Sequence, residues 1–300
     1  MIKVAYSDKF VLDLPEGHKF PMIKYELIKE QLQYEGTLPT ENLFCPDICQ
    51  DDIVMLTHEK SYIQRLRQHE LTEMEIRKIG FPFSDTLVNR CFTSTRGTVD
   101  CGLYALQHGI ALNTAGGTHH AFKEKGEAFC VINDIAVAAN YLMAVGLAKK
   151  ILIIDLDVHQ GNGTAKIFQG DNRVFTFSVH GADNYPLRKE VSDLDIALPS
   201  YIDDSTYLEL IQKHIPQLLN QVKPDIVFYL AGVDILVTDK LGKLNVSKEG
   251  CQIRDEIVMA HCKEMQIPIA VSMGGGYSEH VRDTVDAHCN TFRTAFDIWG

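Results

Sequence analysis

The sequence predicts an α/β fold in which residues 1–300 form one domain, a doubly wound, mostly parallel sheet flanked by helices. Three observations predict it. From residue 110 to the C-terminus, short apolar segments alternate with segments of helical periodicity, the pattern of a parallel sheet. The apolar segments are continuous, as expected for strands buried on both faces. No repeat or low-complexity linker divides the chain, which favours a single domain.

The N-terminal part of the chain contributes one strand and several helices. Residues 1–7 are predicted as a strand, and residues 22–32 show helical spacing after a turn. Residues 59–68 are predicted as another helix. Ser84 follows a proline-containing break and precedes a long helical segment, so we expect its hydroxyl to cap that helix.

Strands and helices alternate in the rest of the chain. The predicted strands lie at 110–114, 151–154, 174–179, 225–230 and 268–272. The predicted helices lie at 133–146, 205–222, 247–264 and 279–298. In the last helix we interpret His280 and His288 as surface or packing residues. Polar residues follow these strands closely, so we expect them to meet at one rim of the sheet, where open α/β folds bind ligands.

The composition is that of a soluble globular protein, with 45% hydrophobic and 23% charged residues. The apolar runs are too short to span a bilayer and the N-terminus lacks a signal-peptide pattern, so the sequence predicts a cytoplasmic protein without a membrane span. A net charge of −11 and the lack of a basic run disfavour direct nucleic-acid binding but are compatible with a cationic substrate.

The eight cysteines are scattered and predict reduced thiols rather than a disulfide framework. Cys45 and Cys49 have the spacing of half a metal site. No matching Cys or His pair with suitable spacing follows, so we interpret them as incidental thiols in a loop.

The segment at 151–164, ILIIDLDVHQGNGT, is the one around which the chain is organised. Four apolar residues predict a buried strand, and continued alternation would send Asp155, Asp157 and His159 to one side. Helix capping and hydrogen bonding are the structural alternative. Two carboxylates and an imidazole are costly to desolvate without a cation, so we favour a functional metal.

Three other strand ends carry polar motifs: Gly-Gly-Thr-His-His at 116–120, Asp234 after the strand at 225–230, and Gly-Gly-Gly-Tyr at 274–277. A solvated histidine pair and a flexible turn are the structural alternatives. Three consecutive glycines cost backbone entropy, so we expect the backbone at Gly275 and Gly276 to pack against a ligand beside Tyr277.

Together these residues predict metal-assisted hydrolysis of a carbonyl compound. Asp157, His159 and Asp234 supply three ligands, the number that a catalytic zinc needs while keeping one position open. His120 is the candidate general base, Tyr277 the donor to the developing oxyanion, and Asp155 the residue that orients His119.

These motifs occur in the order found in the zinc-dependent histone deacetylase family, together with Phe129-Cys130 and Asn133-Asp134. The chain resembles that family, which has the arginase/deacetylase fold, over nearly its full length. It looks most like the short class IV members and their bacterial relatives.

The resemblance implies zinc ligands at Asp157, His159 and Asp234, with Fe²⁺ as another candidate metal. It implies catalytic roles for the remaining polar residues, namely His119, His120, Asp155, Asn162 and Tyr277. It also implies an acyl-lysine tunnel walled by Phe129 and Tyr185. A structural K⁺ is implied at the backbone oxygens of Asp155, Asp157 and His159, with Ser178 and Val179.

Three positions depart from the family pattern. Asn162 stands where some classes have Asp, which should leave His120 less basic. Thr118 stands where an aromatic residue is frequent, and Ala128 where a glycine is common. Because both lie beside the tunnel, the acyl chain that fits remains open, from acetyl to longer chains.

The favoured substrate is an acyl-lysine protein or peptide. The nearest alternative is an acetylpolyamine amidohydrolase, because an acidic rim suits a polycation. An arginase-like enzyme would need a richer ligand set for two metals. A noncatalytic acyl-lysine binder is the alternative from another class. The sequence does not predict the oligomeric state.

Overall fold

A computed structural model describes residues 1–300 and contains one eight-stranded sheet flanked by helices. The strand order is β2-β1-β3-β8-β7-β4-β5-β6, and every neighbouring pair is parallel. The strands are β1 Lys3–Ala5, β2 Leu43–Phe44, β3 Ile110–Asn113, β4 Ile151–Asp155, β5 Val174–Gly181, β6 Leu194–Leu198, β7 Ile226–Leu230 and β8 Ile269–Ser272. The predicted α/β class is confirmed, and the sheet is wholly rather than mostly parallel.

Ten α-helices connect and flank the strands. They are α1 Lys24–Tyr34, α2 Asp51–Val54, α3 Lys60–Arg67, α4 Glu73–Ile79, α5 Asp85–His108, α6 Asp134–Ala144, α7 Asn162–Phe168, α8 Asp204–Val222, α9 Lys248–Glu264 and α10 Val281–Trp299. The Ser84 hydroxyl accepts a hydrogen bond from the Leu87 N–H at 3.1 Å, so the predicted cap of α5 is confirmed. None of the helices combines the length and the apolar character needed to cross a bilayer.

The central strands β4, β7 and β8 are buried along their whole length, as their apolar sequences predict. β4 lies between β5 and β7, and its last residue, Asp155, is paired with Ser178 on one side and Leu230 on the other. Because the strands are parallel, the segments that leave β4, β7 and β8 emerge side by side. This register brings together three of the motifs singled out in the sequence.

The structure corrects several sequence-based expectations. β4 ends at Asp155, so Asp157 and His159 lie in the bend after the strand rather than on a continued alternation. β2 and β6 were not predicted; β2 has two residues, and β6 carries an aspartate and is mostly half-buried, so neither gives a strong apolar signal. The interpretation of the two histidines near the last helix agrees with the structure, since His288 is fully buried and His280 is exposed.

All eight cysteines are unpaired. Cys45 is exposed and the other seven are buried, including Cys49. The two therefore do not present a matched pair of thiols to a metal.

Candidate metal and catalytic site

A cavity of about 330 Å³ lies at the carboxyl ends of the central strands. Most of the predicted site residues line it: His119, His120, Phe129, Asp157, His159, Tyr185, Asp234, Gly275 and Tyr277. Asp155 and Asn162 lie behind the wall, in contact with the two histidines. The structure therefore brings nearly the whole predicted set into one place.

Asp157, His159 and Asp234 form a compact, buried triad whose potential ligand atoms all lie within 4.8 Å of one another. The His159 Nδ1 lies 3.0 Å from the Asp157 Oδ1 and 3.1 Å from the Asp234 Oδ2. A single ring N–H cannot donate a full hydrogen bond to both buried carboxylates. A divalent cation would neutralise both carboxylates and be coordinated by the imidazole nitrogen. The donor set therefore fits a metal such as zinc.

Backbone amides hold the two carboxylates in place. The Asp157 side chain accepts hydrogen bonds from the N–H groups of His159 at 2.9 Å and Gly275 at 2.8 Å. The Asp234 Oδ1 accepts from the Val158 N–H at 2.9 Å. Because these bonds use backbone donors of adjoining segments, the ligand positions are set by the fold itself.

Two glycines leave the room that these carboxylates occupy. A Cβ on Gly275 would lie 2.0 Å from the Asp234 Oδ2, and a Cβ on Gly232 would lie 2.4 Å from the Asp157 Oδ2. No side chain is tolerated at these distances. The glycines are therefore required by close approach to the triad.

A buried arginine on α9 supports the same two segments from behind. The Arg254 Nη1 donates to the carbonyl oxygens of Gly232 at 2.6 Å and Leu156 at 3.3 Å, and the guanidinium pairs with Asp255. The Leu156 carbonyl lies one residue before Asp157, and the Gly232 carbonyl lies two residues before Asp234. This role was not predicted from the sequence, because an arginine on a helix is ordinarily solvated.

Protons compete with a cation for the triad. Burial, followed by the negative charge of Asp157, raises the pKa of Asp234 to about 7. Burial lowers the pKa of His159, but hydrogen bonds to Asp157 and Asp234 outweigh it and raise that pKa to about 10. Binding of a divalent cation would therefore release protons and strengthen as pH rises.

The two adjacent histidines have different partners. The His119 Nδ1 lies 2.7 Å from the Asp155 Oδ2, and the His120 Nδ1 lies 2.7 Å from the Asn162 Oδ1. Burial lowers the pKa of His119, but the charges of Asp155 and Asp157 and the hydrogen bond to Asp155 together outweigh burial and raise that pKa to about 9. The pair thus presents one ring held by a carboxylate and one held by an amide.

The pKa of His120 lies well below its usual value. Burial is the largest cause, followed by the positive charges of His119 and His159. The sequence also predicted a less basic His120, but it attributed this to Asn162. In the structure the hydrogen bond to Asn162 raises the pKa of His120, and burial is what lowers it. His120 is therefore neutral at pH 7 and able to accept a proton.

Asp134 clamps the loop that carries the histidine pair. Its carboxylate accepts hydrogen bonds from the N–H groups of Gly117 at 3.1 Å and Thr118 at 2.8 Å. The hydroxyls of Thr98 and Thr118 donate to it at 2.6 Å each. Thr118, expected to shape the tunnel, lines the cavity but uses its hydroxyl to hold the loop.

The predicted tunnel walls face the cavity. The Tyr185 ring lies edge-on to His120, with ring centroids 4.9 Å apart. Phe129 also lines the cavity, and both Ala128 and Phe129 have a positive φ, of +48° and +65°. A glycine at 128 would adopt this left-handed conformation without strain, whereas Ala128 pays roughly 1 kcal/mol for it.

The structure places the predicted tunnel residue Gly276 outside the cavity lining. Gly274 and Gly275 line the cavity, whereas Gly276 does not. A Cβ on Gly276 would lie 2.6 Å from Val233 and 2.8 Å from Thr284, away from the tunnel. Its φ of +153° is instead what turns the chain toward Tyr277.

Tyr277 is fixed through its backbone, because its N–H donates to the Asp239 Oδ2 at 2.6 Å. Burial, followed by the charges of Asp234 and Asp157, holds the pKa of the Tyr277 hydroxyl well above its usual value. The hydroxyl therefore keeps its proton at neutral pH and is available as a donor.

A buried lysine that the sequence did not reveal lies next to Tyr277. The Lys24 Nζ donates to the Gly274 carbonyl oxygen at 3.2 Å and lies 5.6 Å from the centroid of the Tyr277 ring. Burial lowers the pKa of Lys24 to about 8. Sequence reasoning missed it because a lysine at the start of an amphipathic helix is ordinarily placed on the solvated face.

The residues predicted to hold a monovalent cation lie on the neighbouring strands β4 and β5 and in the segment that follows β4. Ser178 is paired with Asp155 in the β4–β5 register, and Val179 follows it on β5. The Ser178 hydroxyl lies 3.0 Å from the His180 Nδ1. The ion itself stays a prediction.

Comparisons with known proteins agree on one family. The histone deacetylase domain matches residues 18–292 of this chain. An uncharacterised protein of Picosynechococcus is 44% identical over 99% of both chains. The acetoin utilization protein AcuC of Staphylococcus aureus is 32% identical over 80% of this chain and 68% of its own. The crystal structure of a histone deacetylase homologue from Aquifex aeolicus has a TM-score of 0.81 at 24% identity, covering 97% of this chain and 82% of the other, which shows a shared fold.

Proposed function

Because this chain belongs to the histone deacetylase family of hydrolases, we propose that it cleaves the amide of N-acylated lysine, using a divalent cation held by three of its side chains. The observation that supports this most directly is the buried triad of Asp157, His159 and Asp234 in the cavity that also contains His120 and Tyr277. Zn²⁺ is the proposed metal and Fe²⁺ the alternative, because a mixed N/O donor set accepts both.

Asp157, His159 and Asp234 would hold the metal. When bound, such an ion polarises the carbonyl of the substrate amide and lowers the pKa of a water molecule. The remaining steps fall to the side chains around it. Only one triad of this kind is found, which disfavours the arginase-like alternative with two metals.

His120 is the proposed general base. Its Nδ1 is engaged by the Asn162 amide oxygen at 2.7 Å, so the Nε2 is left to accept a proton from the attacking water. His120 then returns that proton to the departing lysine amine. His119, held by Asp155, contributes a neighbouring positive charge that stabilises the negatively charged transition state.

Tyr277 is the proposed donor to the developing oxyanion. Its hydroxyl stays protonated because burial and the nearby carboxylates raise its pKa well above the usual value. A neutral donor in a buried cavity is worth more in the transition state, where the amide oxygen carries charge, than in the substrate.

Phe129 and Tyr185 are the proposed walls of the lysine tunnel, and Asn162 the residue behind the base. A structural K⁺ beside Asp155 and Ser178, a class IV affiliation and a cytoplasmic location complete the proposal. The acyl chain is left to experiment because Ala128 and Thr118 depart from the family pattern.

The test uses the full chain, stripped of metal and reconstituted with Zn²⁺ or Fe²⁺. Hydrolysis is measured on lysine peptides carrying acyl chains from acetyl to long fatty acyl, and on acetylated polyamines. We expect metal-dependent hydrolysis of acyl-lysine that a chelator abolishes. Faster turnover of acetylated polyamines would favour the amidohydrolase alternative. Tight binding of acyl-lysine without turnover would identify a noncatalytic binder and contradict the proposal.

A further inference from the structure

Glu127 occupies a position that the sequence did not single out, between the tunnel wall and the second histidine. Its Oε1 accepts a hydrogen bond from the Asn162 Nδ2 at 2.9 Å and another from the Tyr185 hydroxyl at 2.8 Å. The Glu127 side chain is 14% exposed and does not line the cavity. It therefore touches two residues of the site without touching the space where a substrate would lie.

The contact with Glu127 decides which way the Asn162 amide faces. A carboxylate only accepts hydrogen bonds, so the NH₂ group of Asn162 must point toward Glu127. The amide oxygen is then directed to the His120 Nδ1, at 2.7 Å, and this nitrogen must carry a hydrogen. The requirement holds for the neutral and the cationic ring alike, because both can donate from Nδ1.

The reversed Asn162 amide would select the wrong tautomer of the neutral His120 ring. With its NH₂ group toward His120, Asn162 would need a lone pair on Nδ1, which places the hydrogen of the neutral ring on Nε2. That nitrogen would then be unable to take a proton from water. An asparagine without a fixed partner has no strong preference between these two orientations. Glu127, which can only accept hydrogen bonds, therefore selects the orientation in which the Asn162 oxygen faces His120.

The same carboxylate oxygen holds the tunnel wall. The Tyr185 hydroxyl donates to it, and the Tyr185 ring lies edge-on to His120. The Lys125 Nζ lies 3.6 Å from the other oxygen of Glu127, with a side chain that is 37% exposed. The exposed lysine adds little, because surface ion pairs contribute roughly 0–1 kcal/mol.

We propose that Glu127 is a positioning residue that fixes the Asn162 amide, and through it the ring tautomer of His120, while anchoring the Tyr185 wall to the same oxygen. The catalytic part of this inference depends on the proposed function, whereas the tautomer of His120 is a property of the folded protein. A merely structural Glu127 would stabilise its loop without acting through Asn162.

The kinetic test is a double-mutant cycle in the zinc-reconstituted enzyme with the variants Glu127→Ala, Asn162→Ala and both together. We expect Glu127→Ala to lower kcat by about 10-fold or more, the size typical of lost positioning contacts. We expect it to add less than about 2-fold to the loss in Asn162→Ala, because both changes break one chain of contacts. Independent, multiplying effects would overturn the proposal.

Matched variants separate the selection of the amide orientation from folding. In Glu127→Gln the side chain keeps its size, but its amide can donate as well as accept, so it no longer selects one orientation of Asn162 and we expect kcat to fall by about 3-fold or more. Glu124→Ala, an exposed change in the same loop, should leave kcat unchanged. Wild-type kcat in Glu127→Gln would contradict selection by an acceptor-only neighbour. Thermal unfolding of each variant identifies any that fail to fold.

A second readout does not depend on activity. In protein labelled with ¹⁵N-histidine, the His120 signals, assigned by loss in His120→Ala, report which ring nitrogen carries the hydrogen. We expect Nδ1–H in wild type, and a reduced Nδ1–H population in both Glu127→Gln and Glu127→Ala. If wild type hydrolyses no acyl-lysine, the proposed function fails while this measurement still stands. An unchanged tautomer in Glu127→Ala overturns the inference in either case.

Discussion

Replacing Gly275 by alanine should disable the metal triad without altering any polar group. The added Cβ would lie 2.0 Å from the Asp234 Oδ2 and 2.7 Å from the Asp157 Oδ2. To restore an ordinary contact, the Asp234 oxygen has to move by about 1 Å, whereas metal–ligand distances tolerate only about 0.2 Å. Because φ at this glycine is not in the left-handed region, the clash is the whole effect.

The expected loss is about 100-fold in zinc affinity, which corresponds to about 2.7 kcal/mol. It is measured by competition with a chromophoric chelator on the purified full chain. Gly36→Ala is the matched control: Gly36 has a φ of +81° and nothing within 4 Å of an added Cβ. That substitution destabilises the backbone by about 1 kcal/mol without a clash, so the variant should bind zinc like wild type.

The affinity measurement distinguishes the two explanations of the triad. If Asp157 and Asp234 only satisfy His159 and backbone amides, Gly275→Ala lowers the free energy of unfolding and nothing else. If they hold a metal, zinc binding weakens even in protein that chemical denaturation shows to be folded. A Gly275→Ala protein that binds zinc as tightly as wild type would refute the assignment of this triad.

Three further predictions concern single side chains. Tyr277→Phe should lower kcat by about 10²–10³-fold with a smaller change in KM, measured against the exposed control Tyr201→Phe; full activity would remove the proposed oxyanion role. Asp134→Asn should cost roughly 2–3 kcal/mol in urea unfolding, because an amide cannot accept all four of the buried hydrogen bonds made to this carboxylate. Burial lowers the pKa of His58 to about 4, and its Nε2 accepts from the Asn133 N–H. Between pH 6.5 and 4 the unfolded chain therefore binds more protons, so this group's contribution to stability, about 3 kcal/mol, is lost as pH falls through that window. His58→Gln should flatten the pH dependence of unfolding there, and an unchanged slope would contradict the reasoning.

The site residues were predictable from the sequence where residues able to bind a metal or transfer a proton directly follow a predicted strand. Asp157, His159 and Asp234 follow continuous apolar runs, and parallel strands deliver such residues to one rim. The histidine pair and Tyr277 follow glycines in the same setting. The sequence pattern did not predict the backbone conformation after β4. There a bend, rather than continued strand alternation, turns Asp157 and His159 toward each other.

The supporting residues were not predictable for a different reason. Glu127, Lys24 and Arg254 are charged residues whose default place is the surface, and nothing in their neighbours in sequence marks them as wholly or largely removed from solvent. Their roles depend on contacts with segments far along the chain, such as the Lys24 bond to Gly274 and the Arg254 bond to Gly232. Gly276 is the opposite case. Its place in a glycine run predicted contact with a ligand, but in the structure Gly276 packs closely against Val233.

The distribution of thiols has a practical consequence. Cys45 alone is exposed, whereas the other seven cysteines are buried within the fold. A maleimide dye should therefore attach at one defined position of the native chain, beside the edge strand β2, and at additional positions only after denaturation. Dye stoichiometry thus becomes a gauge of the intact fold, and the label itself a fixed spectroscopic reporter for ligand titrations.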